Sequence, residues 1–432
     1  MQKKLIALAV ASVASGAAFA QTNVTMYGIV DAGYVYSSGD AGRAYVPALG
    51  GQSLDIVQVP GKNTFSGIQS GLLSGSRLGF RGEEALGNGL KAVFTLEYSL
   101  GIDGNNGVGS TGSLNARQQF VGLAGNFGQI ALGRQYSPGY QATANNDPAA
   151  GAAFEPQSFM TAQAGNTITP NSNARWNNAL TYTTPNWGGF TGKAIYSFGE
   201  NSTCTTFRVP TAANPSNTTT AATYNDNCVS TTDNSRWALG ANFATGGLNL
   251  DAVYQVRQKV RTTDGYIPNA NNALPLVNNT NTAFATAPIT YTTNSFAWGD
   301  DINEWYVGGS YDFKVVKVMA SYQDQNDKNF YDNDNNTWSV GAVVPLGNAN
   351  IHLAWAQTNF DGAVDGKSNG AMIAGTYAFS KRTTAYAGYV WVKNDNDSMP
   401  LNPVSANVGG FGGTGGMGES NNTFLAGIRH SF

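Results

Sequence analysis

The stretch NNTFLAGIRHSF, residues 421–432, reads by twos. Phe424, Ala426, Ile428, His430 and Phe432 share one face, and Thr423, Leu425, Gly427, Arg429 and Ser431 the other, which is the period of a β-strand. One such stretch could be the edge of any sheet; repetition gives it meaning. In LKAVFTLEYS (90–99), Ala92, Phe94, Leu96 and Tyr98 oppose Lys91, Val93, Thr95, Glu97 and Ser99. In LNLDAVYQVRQK (248–259), Leu248, Leu250, Ala252, Tyr254 and Val256 oppose Asn249, Asp251, Gln255, Arg257 and Lys259. Each time the charges fall on one side.

Sixteen segments of this kind are expected, near 23–36, 76–84, 89–100, 115–125, 128–136, 177–185, 189–199, 235–245, 247–258, 302–313, 315–325, 337–346, 348–359, 369–380, 382–394 and 421–432. Most approach the roughly 9 to 11 residues that a tilted strand needs to cross a bilayer. Their connections alternate in length. Seven are tight turns, such as GNFG, TPNWGG and PLGN, and eight are longer, polar and rich in Asn, Thr and Gly, such as 137–176, 200–234 and 259–301. A soluble sandwich has no reason to gather every long loop at one end. An all-β, transmembrane, 16-stranded antiparallel barrel does, with short turns in the periplasm and long loops outside. Closure removes the sheet edges that hydrocarbon cannot solvate. The last strand is therefore expected to pair with the first, NVTMYGIVDAGYVY, placing Phe432 at the short-turn rim, an interface that aromatic rings favour.

Composition agrees. Charged residues make up 12 % of the chain, where about 25 % is usual, beside 53 glycines and 20 tyrosines. MQKKLIALAVASVASGAAFA (1–20) has two lysines, a short apolar run and an Ala-Phe-Ala end, the form of a cleaved secretory signal peptide. That leaves 21–432 as one barrel domain. Without the leader the chain carries 22 basic and 27 acidic residues, a net charge of −5, which excludes a general nucleic-acid binder. Cys204 and Cys228 lie in one polar segment of an exported chain, either as a disulfide tying down a loop or as two free thiols.

The sequence resembles the general porins of beta-proteobacteria and Neisseria along essentially its whole length. The resemblance is carried by NVTMYGIVDAGY, SGSRLGFRGEEALGNGLKAVFTLE, RQQFVGLAGNFGQIALGRQ, NNALTYTTPNWGGFTGKAIYSFGE and AGIRHSF. It implies a homotrimer of channels in the lipid and lipopolysaccharide of the outer membrane. It also implies a C-terminal strand, ending in Phe432, that the barrel-assembly machinery reads, and a third long loop folded into the pore. That loop, from Ser137 to about Asn173, carries Asp147 and Glu155 as the acidic side of the constriction. The family's facing arginine cluster matches Arg77, Arg117, Arg134 and Arg175 here.

Acids facing guanidiniums across a narrow aqueous gap would set up a transverse field that orients dipolar solutes. Parity turns Arg77 and Arg175 toward the lumen. It turns Arg117 and Arg134 outward with Val121, Leu123, Ile130 and Leu132, so each needs either a preceding bulge or a place at a subunit interface. Glu97 and Lys193 face the lumen by parity. The expected function is passive diffusion of small hydrophilic solutes and ions, leaning toward anions, with no cofactor and no metal.

Two other readings fit the residues less well. A barrel enzyme needs an activated nucleophile, yet neither His352 nor His430 has a recognisable partner, and His430 falls on the lipid side. A substrate-specific channel would line its path with aromatics, whereas Phe94, Tyr98, Trp237, Tyr254 and Trp355 take the lipid parity. The DNDNN run at 332–336 lacks the glycine and terminal glutamate of a calcium loop, and the glycine-rich 409–418 has no helix behind it to cradle phosphate.

Overall fold

A computed structural model describes residues 23–41, 43–47, 54–58, 61–104, 107–108, 115–199, 207–209, 222–224, 234–260, 300–329, 333–361, 365–395 and 418–432. Cys204, Cys228 and the first twenty residues lie outside them.

The barrel strands are β1 (Asn23–Asp40), β2 (Arg77–Gly87), β3 (Leu90–Gly101), β4 (Ala116–Gly125), β5 (Gly128–Tyr136), β6 (Arg175–Thr183), β7 (Phe190–Ser197) and β8 (Arg236–Thr245). They continue as β9 (Leu248–Arg257), β10 (Ile302–Asp312), β11 (Lys317–Asp327), β12 (Asn335–Leu346), β13 (Ala349–Phe360), β14 (Gly366–Ala378), β15 (Thr383–Asn394) and β16 (Ser420–Ser431). Each pairs antiparallel with its chain neighbours, and β16 returns to β1, with Ile29 opposite Ser431 and Tyr36 opposite Phe424. The ring is closed, as the alternation predicts.

The seam has a steric basis. Phe432 donates its amide to the Gly28 carbonyl at 3.1 Å and accepts from the Gly28 amide at 3.2 Å. A Cβ on Gly28 would stand 2.2 Å from the Phe432 ring, so only glycine leaves room for the ring across the seam.

Lumen and lipid faces separate by parity. Leu132, Leu239, Val307, Val340, Leu353 and Ile373 are exposed on the outside, a band that only hydrocarbon would wet without cost. Aromatic contacts flank it. Trp237–Tyr254, Trp305–Tyr322 and Trp338–Trp355 lie toward the long-loop end, and Trp187–Phe190, Tyr311–Phe313 and Tyr377–Phe379 toward the short turns. Two aromatic girdles about an apolar belt are the marks of a membrane-spanning barrel.

One stave departs from the expected pattern. The upper half of β1 pairs with a separate strand, Lys62–Ser70, and its lower half with β2. Between them, residues 71–76 leave the wall in a turn that begins at Gly71, whose φ of +75° favours glycine.

Candidate functional site

The β5–β6 connection turns into the lumen, as expected. It carries two short helices, α1 (Pro138–Asn145) and α2 (Pro156–Gln163), each opened by a proline whose missing N–H costs nothing in a first turn. The loop stays because the wall behind it is apolar where a water-filled pore should be polar. Ala354, Ala356, Met372, Ala374, Val390, Val392 and Leu425 bury Phe154, Phe159 and Met160 in a small core inside the barrel. At roughly 1.5–3 kcal/mol per large side chain buried, this contact alone holds the loop against one half of the ring.

Polar anchors complete the seat. Glu304 accepts from the Thr167 amide at 2.7 Å, the Thr167 hydroxyl at 2.6 Å, Arg257 at 3.1 Å and Gln255. Asp251 accepts from Asn146 at the end of α1 at 2.8 Å, and His352 Nδ1 meets the Pro148 carbonyl at 2.8 Å. His352 is thus a wall residue bound to the loop, while His430 lies exposed beside Thr383.

The predicted basic residues lie on β2 and β4–β7. Glu97 on β3 accepts from Arg117 Nε at 2.8 Å, lies 3.8 Å from Arg77 Nη1, and accepts from Tyr27 at 3.1 Å. Arg117 also donates to the Tyr136 hydroxyl at 3.3 Å. The Tyr136 ring stacks on Tyr140 of α1 with centroids 3.7 Å apart, and the Arg175 guanidinium lies over both rings at 5.3 and 5.8 Å. Lys193 donates to the Tyr136 carbonyl at 2.6 Å. Arg77, Arg117, Arg175, Glu97 and Lys193 therefore gather around Tyr136, at the point where the loop leaves the wall.

A bulge resolves the parity of Arg117. Leu96 pairs with Gln119 but Tyr98 with Ala116, so one extra residue of β4 turns Arg117 inward to Glu97, leaving it 6 % exposed. Arg134 acts differently. It donates to the carbonyls of Ala116 and Arg175 at 3.0 and 3.1 Å and to Asn177 at 2.5 Å, fastening the ends of β4 and β6 to β5. Its guanidinium is spent on neutral oxygens of the wall.

The acidic side requires correction. Asp147 and Glu155 lie on the loop but are turned into it, 4 % and 1 % exposed. Asp147 accepts from the amides of Ala149 and Gly151 at 2.6 and 2.9 Å, and Glu155 caps α2 through Ser158 N at 2.9 Å. Free backbone N–H groups at the loop's turns capture the carboxylates before the pore can use them. Burial raises both acids above the usual carboxylate range, Asp147 to about 6, and the Asp147 charge raises Glu155 further.

Three further residues belong to this site. Arg81 lies exposed four residues after Arg77 on the same face of β2, its guanidinium 5.3 Å from the Tyr27 ring; the i, i+4 pair in RLGFR was the available signal. Tyr136 and Tyr140 had none, since each reads as an ordinary aromatic at a strand end and in a loop. Among the described residues this cluster is predominantly basic, with Arg77, Arg81, Arg117 and Arg175 around the buried carboxylate of Glu97.

Residues 7–397 match the model of the Gram-negative porin family. The chain belongs to that family. The porin is 30 % identical over the full length of both chains to outer membrane porin protein 32 of Delftia acidovorans. It is 28 % identical to an outer membrane porin protein of Bordetella pertussis, over 91 % of this chain and 95 % of that one. Among solved structures, an anion-selective porin from Comamonas acidovorans superposes with a TM-score of 0.67 at 24 % identity, covering 95 % of this chain and all of that one. OmpF of Salmonella typhi superposes with a TM-score of 0.55 at 17 % identity, over 95 % and 97 %. These last two speak to fold. The porin is an outer-membrane β-barrel channel.

Proposed function

We propose that this porin is a general diffusion pore for small hydrophilic solutes and ions, leaning toward anions. The supporting observation is the basic constriction: guanidiniums around one neutralising carboxylate, with the loop's own acids turned away. At the narrowest point fixed charge acts through little water and decides which ion enters at least cost. The acidic net charge of the whole chain acts from farther away and is screened within about 10 Å at ordinary salt. The anion selectivity in the name of the Comamonas porin agrees with this reading. Membership of the porin family supports passive transport rather than a catalysed reaction.

The same reading includes a homotrimer, cleavage after residue 20, insertion by the barrel-assembly machinery through the strand ending in Phe432, and lipopolysaccharide around the rim. Liposome swelling tests it. Entry rates of neutral sugars are expected to fall smoothly with size, with organic anions entering faster than cations of equal size. Saturable entry of one sugar would indicate a specific channel, and absence of swelling after verified insertion would contradict a pore.

A further inference from the structure

Asp31, in the middle of β1, faces the lumen yet is 1 % exposed. The turn 71–76 folds over it. The amides of Leu73 and Ser74 both donate to Asp31 Oδ2, at 2.9 and 2.6 Å, and the Tyr386 hydroxyl donates to Oδ1 at 2.5 Å. The Asp31 backbone is engaged as well: its carbonyl accepts from Gly71 N at 2.8 Å and its amide donates to Ser76 Oγ at 3.0 Å. Successive backbone amides aimed at one carboxylate oxygen form a nest, a strong site for a fixed anion.

The turn held there touches both sides of the constriction. On one side, the Leu72 carbonyl accepts from Ala153 N of the inserted loop at 2.9 Å, and the Leu72 side chain enters the apolar core beneath that loop. On the other, the Gly75 carbonyl accepts from Arg77 Nε at 2.9 Å, and a Cβ on Gly75 would stand 2.8 Å from Arg117 Nη1. The wall makes room: a Cβ on Gly33 would meet Leu72 and the Tyr386 hydroxyl at 2.8 and 2.9 Å.

We propose that Asp31 is the positioning residue of the constriction: through one turn it fixes the inserted loop on one side and the arginines on the other, and so sets the gap between them. This rests on the porin reading above. Asp31 touches no solute; it acts through Leu72 and Gly75.

The test is single-channel recording in planar bilayers. Wild type must conduct, and silence there would fail the pore itself rather than this inference. Asp31→Ala is expected to raise conductance and open-channel noise and to move the reversal potential toward zero, as loop and arginines drift apart. Asp31→Asn, offering one oxygen to the two amides and its NH2 to the Tyr386 oxygen, is expected to behave nearly as wild type. A disulfide between Leu72→Cys and Ala153→Cys in the Asp31→Ala background is expected to restore the wild-type conductance. Asp31→Ala with unchanged conductance and reversal potential overturns the proposal. Should that variant not fold, Tyr386→Phe decides: a smaller shift in the same direction supports the role, and unchanged values overturn it.

Discussion

At the scale of single residues, the constriction turns on Glu97. It is the buried carboxylate among the arginines of this cluster, and it holds Arg117 in a pair with both side chains under 10 % exposed. Glu97→Gln leaves that guanidinium without its counter-ion, a change that costs about 3–5 kcal/mol where a buried pair is broken from one side. The expected outcome is a lower urea midpoint for barrel unfolding together with a reversal potential displaced further toward anions. Arg81→Ala, which disturbs no ion pair among the described residues, is expected to displace it toward cations at unchanged stability. The sequence showed Arg77 and Glu97 on the lumen side because strict alternation holds for them, whereas for Arg175 it is broken by an extra residue of β6 between Trp176 and Ala179. It misdirected Arg117, because a bulge inserts one residue that no local preference announces. The carboxylates of Asp147 and Glu155 were visible as acids on the right loop, but their capture by Ala149, Gly151 and Ser158 amides depends on loop geometry that parity does not encode.

At the scale of elements, the inserted loop behaves as a packed plug. Phe159→Ala removes a ring that is fully buried between loop and wall and is expected to cost about 3–5 kcal/mol of loop docking. The consequence to measure is greater open-channel noise. The loop's acids add a pH dependence. A carboxyl whose value is raised by burial binds its proton more tightly in the folded loop than in the unfolded chain. It therefore supports the docked loop at low pH, and that support is lost as pH rises from near 3.8 through about 6. Channel noise is expected to be larger at pH 8 than at pH 5, and Asp147→Asn is expected to flatten the difference; noise that falls with rising pH would contradict this. A sign of the plug was present in the sequence. In β13 and β15 the lumen parity carries Ala354, Ala356, Val390 and Val392 opposite Leu353, Trp355 and Tyr389, so both faces are apolar and one must be covered. The turn 71–76 left no such trace, because its nest depends on an aspartate some forty residues earlier in the chain.

At the scale of the whole molecule, the alternation of short turns with long loops was enough to expect a ring, and β16 paired with β1 closes it. Closure is steric as well as hydrogen-bonded: Gly28→Leu is expected to displace the Phe432 ring and reduce the yield of heat-modifiable folded barrel, read by its migration on unheated gels. The central claim is that the closed ring encloses a pore whose selectivity is set by the arginines. Its most direct test is the reversal potential of wild-type single channels under a salt gradient, repeated with Arg77, Arg117 and Arg175 neutralised one at a time. Ohmic steps are expected, with an anion-leaning reversal potential that moves toward cations in each variant. Verified insertion without conductance, or a reversal potential indifferent to all three substitutions, would contradict it.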